Sequence, residues 1–361
     1  MIPKVLLSVN AHHPTVLRPS LRRDQRAVSE VLGVVMMLAM VVTIMGGVWI
    51  FLSPYISDFE DNTNWNSANG IADRFEDRID VAGSAPEGTG IRHTLALKST
   101  MVQPVIKVET WTIAADLTPD DRITVRNINN SAIGITAINE TARSVTIESP
   151  MGIESHAFSG SFNEVVIEHQ SSQDHWMTVT VFDADERALH TSVSYIVSGI
   201  QISTSLGLGE HEIALVNDAR AERFPNEPWK VSQFPNIELD TLVTGELRLS
   251  IVLTDVTING SIGSGENIGM DMVSLGPMTL FTGNAYHLRF TVENALNDVI
   301  TPQYHDKMLE DHTLNRASGT LDTFTGYAPY LRASGADGFT VESQENQLIL
   351  EVDVKRVEVS R

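Results

Sequence analysis

Arg22-Arg23-Asp24-Gln25-Arg26-Ala27-Val28-Ser29-Glu30, followed at once by an apolar run over 31–52, decides how this chain is organised. The run holds 22 residues, none charged, and Thr43 is its only polar side chain. At about 1.5 Å rise per residue, a helix of that length covers roughly 33 Å, enough to cross the hydrocarbon core of a bilayer. A secretory signal has a shorter apolar region, about 7–15 residues, with its cleavage site behind it. Here the small residue Ala27 stands in front of the run, directly after Arg26. A cut at Ala27 removes the charged leader and leaves the helix on the mature chain. The flanks set the orientation. Arg22, Arg23 and Arg26 precede the run, whereas Asp58, Glu60 and Asp61 follow it, so the large C-terminal part is expected outside the cell.

The stretch Arg26-Ala27-Val28-Ser29-Glu30-Val31-Leu32-Gly33-Val34-Val35-Met36 resembles the class III signal of archaeal type IV pilins and pilin-like surface proteins. In that family a membrane prepilin peptidase cuts after a Gly or Ala preceded by a charged residue. The resemblance therefore implies a processing site made of Arg26, Ala27 and Val28, with the cut after Ala27. The family's usual core reads Val-Ser-Pro-Val-Ile-Gly, and this chain departs from it with Glu30 for the Pro and Leu32 for the Ile. The likeness covers about 30 of the 361 residues. The other reading of the same stretch is a single-span anchor that is never cut.

What the resemblance implies for the helix is assembly: after processing, residues 28–53 would pack against other pilin-like subunits in a filament core. Gly33, Gly46 and Gly47 would then allow close helix approach, although Gly is also common in membrane helices generally. Glu30 would lie two residues from the freed amine of Val28. In bacterial type IV pilins a Glu near the mature N-terminus pairs with a neighbour's amine. The alternative is a first-turn carboxylate favoured by the helix dipole, with Ser29 as the helix-start residue.

Beyond the apolar run the helix is expected to continue weakly. Pro54 can kink it, and Asp61-Asn62-Thr63-Asn64-Trp65-Asn66 is poor helix material. Ile71, Phe75 and Ile79 recur at spacing four among charged residues, which predicts an amphipathic segment with one packing face. Gly83-Ser84-Ala85-Pro86-Glu87-Gly88-Thr89-Gly90 reads as a hinge. From Ile91 the chain reads as β. Leu247, Leu249, Ile251 and Leu253 alternate with Arg248, Ser250 and Val252, and Tyr286, Leu288, Phe290 and Val292 with His287, Arg289 and Thr291. Leu348, Leu350, Val352 and Val354 lie on one face before a switch to Val357 and Val359, which predicts a bulge around Lys355-Arg356. One further helix is expected over 302–312.

The expected class is α+β: a long N-terminal transmembrane helix, then a mainly antiparallel β-sandwich head outside the cell. In order, 1–27 is the leader, 28–53 the transmembrane or filament-core helix, 54–90 the amphipathic extension and hinge, and 91–361 the β-rich domain. A candidate boundary within that domain lies at 199–209, where Ser203-Thr204-Ser205-Leu206-Gly207-Leu208-Gly209 reads as a linker or as a long loop in one sheet.

Composition agrees with export. There are 46 acidic and 25 basic residues, and only six of the basic ones are Lys. Cleavage after Ala27 removes five basic residues and one acidic, leaving 45 acidic against 20 basic and a formal net charge of −25. Such an excess repels nucleic acid and anionic lipid and excludes a nucleic-acid binder. It resembles the proteins of salt-loving archaea. The absence of cysteine excludes disulfides, thiolate metal sites and cysteine nucleophiles.

No spacing selects catalytic residues, a cofactor or a metal, so the chain reads as non-enzymatic. Asp183-Ala184-Asp185-Glu186 resembles the start of a calcium loop, but Arg187 stands where a ligand should, and a hairpin turn is the better reading. His305-Asp306 and Asp311-His312 share one helical face at best. The glycine-rich stretch around Gly263-Ser264-Gly265 reads as a loop. Asn129, Asn139 and Asn259 head N-glycosylation sequons in turn-like stretches. The expected function is a minor or tip subunit of a pilus-like filament, with the prepilin peptidase, other subunits and the membrane as partners. Two alternatives are a monomeric anchored binding module and, less favoured, a surface hydrolase with a dispersed active site.

Overall fold

The structure, a computed structural model, describes residues 21–119, 122–138, 141–169, 175–233, 235, 237–241, 246–263, 265–294, 296, 331–333, 339–342 and 348–361. The chain divides into two units, Met1–Phe59 and Glu60–Arg361. One long N-terminal helix and a mostly antiparallel β-rich remainder make the fold α+β.

Helix α1 runs Leu21–Gly83, with Pro54 inside it. The Asn-rich turn at 61–66 is helical despite its low propensity. Asn66 Nδ2 donates to Asn62 Oδ1 one turn back at 3.0 Å, and Asp61 Oδ1 accepts the Gly207 backbone N–H at 2.8 Å. The next turns bury Ala68, Ile71, Ala72, Phe75, Ile79 and Ala82. Packing of that face overrides local preference. The spacing of Ile71, Phe75 and Ile79 marks this face as expected, and three alanines complete it.

Twenty strands follow among the described residues: β1 Gly90–Leu97, β2 Thr100–Asp116, β3 Ile123–Arg126, β4 Ala132–Ala137, β5 Ser144–Ser149, β6 Gly152–Ala157, β7 Glu164–Glu168, β8 Trp176–Phe182, β9 Ala188–Leu206 and β10 Gly209–Val216. The second ten are β11 Ala219–Arg223, β12 Lys230–Gln233, β13 Ile237–Thr241, β14 Leu247–Ile258, β15 Gly265–Ser274, β16 Met278–Ala285, β17 His287–Asn294, β18 Leu331–Ala333, β19 Phe339–Glu342 and β20 Leu348–Ser360. One sheet has the order β1-β15-β20-β14-β13, with β16 also on β20. A second runs β12-β11-β10-β9-β2-β17-β19-β18 and gains β8, β5 and β6 through β9. The third is β3-β4-β7. The pairing of β14 with β20 is parallel, in register from Leu247↔Leu348 to Ile258↔Val359.

Among the described residues three apolar cores result. The first takes Trp111, Ile113, Tyr195, Val197 and Phe290 from the second sheet and Leu249, Ile251, Leu348, Leu350 and Val352 from the first. The second lies against α1 and joins Ile71, Phe75 and Ile79 to Leu95, Leu97, Ile200, Ile202, Ile213, Met270 and Met272. The third joins β3 and β4 to β5, β8 and β9, through Ile133, Ile135, Val145, Ile147, Val179 and Leu189.

The switch at the end of β20 has a different cause from the expected bulge. Leu348–Val354 face the first core, and Val357 and Val359 the second. Pairing with β14 passes through Thr254↔Lys355, Asp255↔Arg356 and Val256↔Val357 without a register shift. The strand alternates strictly and moves from a core on one side to a core on the other. β14 does the same with Leu253 and Val256, and β9 with Val197 and Ile200.

The linker reading of 199–209 is also corrected. These residues are the last part of β9, its turn and the first residue of β10, in continuous register from Gly209↔Leu206 to Val216↔Gly199. A Cβ on Gly199 would stand 2.3 Å from the Leu215 carbonyl oxygen, so glycine is required there by close backbone approach. The helix expected over 302–312, with His305, Asp306, Asp311 and His312, lies outside the described residues.

Candidate functional site

Among the described residues of the first half of α1, the surface is apolar and exposed. Large apolar side chains from Val31 to Phe59 are exposed, and none of its most apolar stretch is buried. A helix that is apolar on all sides and uncovered belongs in a bilayer or against other helices. It is the one helix among the described residues long and apolar enough to cross a membrane. Thr43, its single polar residue, is satisfied internally: Oγ1 donates to the Ala39 carbonyl at 2.8 Å. That removes the cost of carrying a hydroxyl into lipid.

Arg26, Ala27 and Val28 lie near the start of α1, and Glu30, Gly33, Gly46 and Gly47 follow on the same helix. Glu30 is exposed. Among the described residues nothing lies within 4 Å of where a Cβ on any of the three glycines would stand.

The second half of α1 is locked to the β body by charge as well as by apolar packing. Arg220 on β11 is nearly buried. It donates to Asp73 at 2.8 Å and to Asn69, and pairs with Glu222 at 3.0 Å. Lys355 on β20 reaches Asp80 at 2.7 Å. Beneath the helix, His211 lies 3.6 Å from Glu222 and packs its ring at a tilt against Phe224, whose ring also meets Trp65. The His211 imidazole and the Arg220 guanidinium hold the Glu222 carboxyl below the usual range, against the opposing effect of burial.

A second polar cluster sits where the long strands pass from one core to the other. Asp255 on β14 accepts the Ser198 backbone N–H at 2.8 Å and the Tyr195 hydroxyl at 3.1 Å. Burial pushes the Asp255 carboxyl up, with these two bonds opposing it, and pushes the Tyr195 phenol up as well. Close by, Glu109 accepts from Trp111 Nε1 and from Asn217 Nδ2, and Asn217 Oδ1 accepts the Thr254 N–H at 2.9 Å. Sequence reading missed this cluster. Its one signal was the polar pair Thr254-Asp255 inside the largely apolar β14.

An open cleft of about 580 Å³ is lined by Glu76, Asp77, Arg78, Asp80, Val81, Asp218 and Gln233. Burial raises the carboxyls of Glu76 and Asp218, with Arg220 opposing at Glu76 and the Thr254 hydroxyl opposing at Asp218. Such a surface suits a cationic group, which would stabilise both carboxylates.

The remaining sequence candidates are dispersed. Asp183 closes the β8–β9 hairpin, its Oδ1 accepting the N–H groups of Asp185 and Arg187, with Arg187 paired to it at 3.3 Å. Asn129 is half-buried in the turn between β3 and β4, and Asn259 is exposed in the turn after β14. Asn139 lies outside the described residues. Gly263 lies in the β14–β15 connection, and Gly265 is the first residue of β15. Among the described residues no group of three or more His, Cys, Asp or Glu side chains is arranged to hold a metal ion.

No known protein family matches the chain, and no curated protein matches it.

Proposed function

We propose that this chain is a pilin-like cell-surface protein, a minor or tip subunit of an archaeal type IV pilus-like filament. The observation that carries the reading is an order of parts along one helix. A basic segment ends in Ala27, an uncovered apolar surface follows from Val31 to Phe59, and a second half is pinned to a β-rich body. Prepilin peptidase cuts after Ala27, and the apolar helix holds the precursor in the membrane with the β-rich head, a sandwich in this reading, outside. Extraction then packs helices 28–53 of neighbouring subunits together, with Gly33, Gly46 and Gly47 at their close approaches. The mature length of 334 residues, large for an archaeal pilin, favours a minor or tip position. Of the two described sequon asparagines, the exposed Asn259 is better placed for glycosylation than the half-buried Asn129.

The acidic cleft supports one other reading, an anchored module that binds a cationic group and never assembles. Co-production with an archaeal prepilin peptidase separates them. The pilin reading predicts loss of the first 27 residues by intact mass, abolished by Ala27→Phe. An uncut chain beside a fully cut control pilin contradicts it and leaves the anchored module.

A further inference from the structure

We propose that the C-terminal end of the apolar helix is fixed in the headgroup layer of the membrane by an aromatic collar, with Trp49 and Tyr55 as its anchors. The proposal rests on the reading of α1 as a membrane span. Residues 1–48 contain no Phe, Trp or Tyr, whereas 49–59 contain four, in a chain that is 6 % aromatic. Trp49, Phe51, Tyr55 and Phe59 are all exposed, between 62 % and 72 %. The other end of the run is flanked instead by Arg22, Arg23 and Arg26. Trp and Tyr join an apolar ring to one polar group, which suits them to the boundary between hydrocarbon and water.

The helix backbone marks the same level. Pro54 lies inside α1 and has no N–H, so the Ile50 carbonyl one turn back lacks its usual donor. Among lipid tails nothing replaces that donor, whereas headgroups and water do. At the opposite end Glu30, an exposed carboxylate, stays out of the hydrocarbon. From Glu30 to Ile50 the helix advances about 30 Å, the thickness of one hydrocarbon core. The two markers therefore bracket the lipid tails, and Trp49, Phe51 and Tyr55 fall at that boundary or just beyond it.

The rings are disposed for lipid rather than for a single partner helix. At 3.6 residues per turn, Trp49 and Phe51 stand on nearly opposite sides of α1. Tyr55 follows Phe51 by one turn, their ring centroids 5.6 Å apart. A packed neighbour meets one stripe of a helix, whereas headgroups surround it on every side. Leucine at 49 and 55 would keep the surface apolar but remove the indole N–H and the phenol, and with them the preference for the boundary.

The chain has no cysteine, so single labels can be placed without removing any. The full chain is reconstituted in phosphatidylcholine vesicles with a fluorophore at Ser53→Cys, inside the collar, or at Met40→Cys, within the run. Lipids spin-labelled at the headgroup or deep in the acyl chain act as quenchers. The expected result is headgroup quenching at 53 and deep quenching at 40. Combining Trp49→Leu with Tyr55→Leu should lower the ratio of headgroup to deep quenching at 53 by about twofold or more, as that end sinks toward the tails. Both side chains are exposed, so no buried core loses a contact. An unchanged ratio beside deep quenching at 40 overturns the proposal and leaves the span standing. A label at 53 that neither lipid quenches, beside deep quenching at 40, does the same. A ratio at 53 that changes when the protein is diluted in lipid overturns the proposal in favour of packing against a second copy. No deep quenching at 40 removes the span reading and this proposal together.

Discussion

Asp255 shows how one residue can hold two sheets in register and still cost stability. Its carboxylate accepts from the Ser198 backbone and from Tyr195, both on β9, although it belongs to a strand of the other sheet. Asp255→Ala leaves a buried N–H and a buried hydroxyl without acceptors, about 1–3 kcal/mol for each, read as a lower denaturation midpoint. Asp255→Asn has a different signature. Burial raises the folded-state pKa above its ordinary value of 3.8, so the native state binds this proton more tightly than the unfolded chain. The group's contribution is therefore full below that value and is lost as pH rises through the raised one. The amide does not ionise. Its melting temperature relative to the native protein should rise from about pH 4 to pH 7, and a constant difference across that range would contradict the assignment. Gly199 illustrates what sequence could not show at this scale. It reads as a linker glycine, whereas its role is steric and depends on Leu215, sixteen residues away.

At the scale of elements, α1 carries two different surfaces on one helix. From Val31 to Phe59 its large apolar side chains are exposed, and from Ala68 one apolar face is buried, with Val81 left outside it. Phe75 is fully buried among Ile71, Ile79 and the strands beneath, so Phe75→Ala should cost about 3–5 kcal/mol in denaturant unfolding of the β-rich unit. Met40→Ala, on the uncovered surface, should leave that stability unchanged, and an equal loss from both would contradict this division of the helix. The spacing of Ile71, Phe75 and Ile79 made the packing face legible, because a period of four with charges between has one physical solution. Ala68, Ala72 and Ala82 gave no such signal, since alanine is as common on exposed helix as on buried. The strands with clean alternation, such as Leu348–Val354, were equally legible. The passage of β9, β14 and β20 from one core to another was not. A change of parity reads the same whether a bulge or a second core causes it.

For the whole molecule, the apolar run and the alternating segments after Ile91 were enough for an N-terminal helix followed by a β-rich body. Strand order was beyond reach. The parallel pairing of β14 with β20 joins segments about a hundred residues apart, and β9 runs 19 residues because both its faces are covered. Only the assembled sheets determine either feature. The functional claim turns on the fate of Ala27, at the junction of the basic leader and the uncovered helix. Its most direct test is the N-terminus of the native protein, read by mass spectrometry from the membrane pellet and from filaments sheared off the cells. A chain beginning at Val28 in the sheared material is the predicted result. A chain confined to the membrane, with Arg26 and Ala27 still attached, would contradict the pilin account.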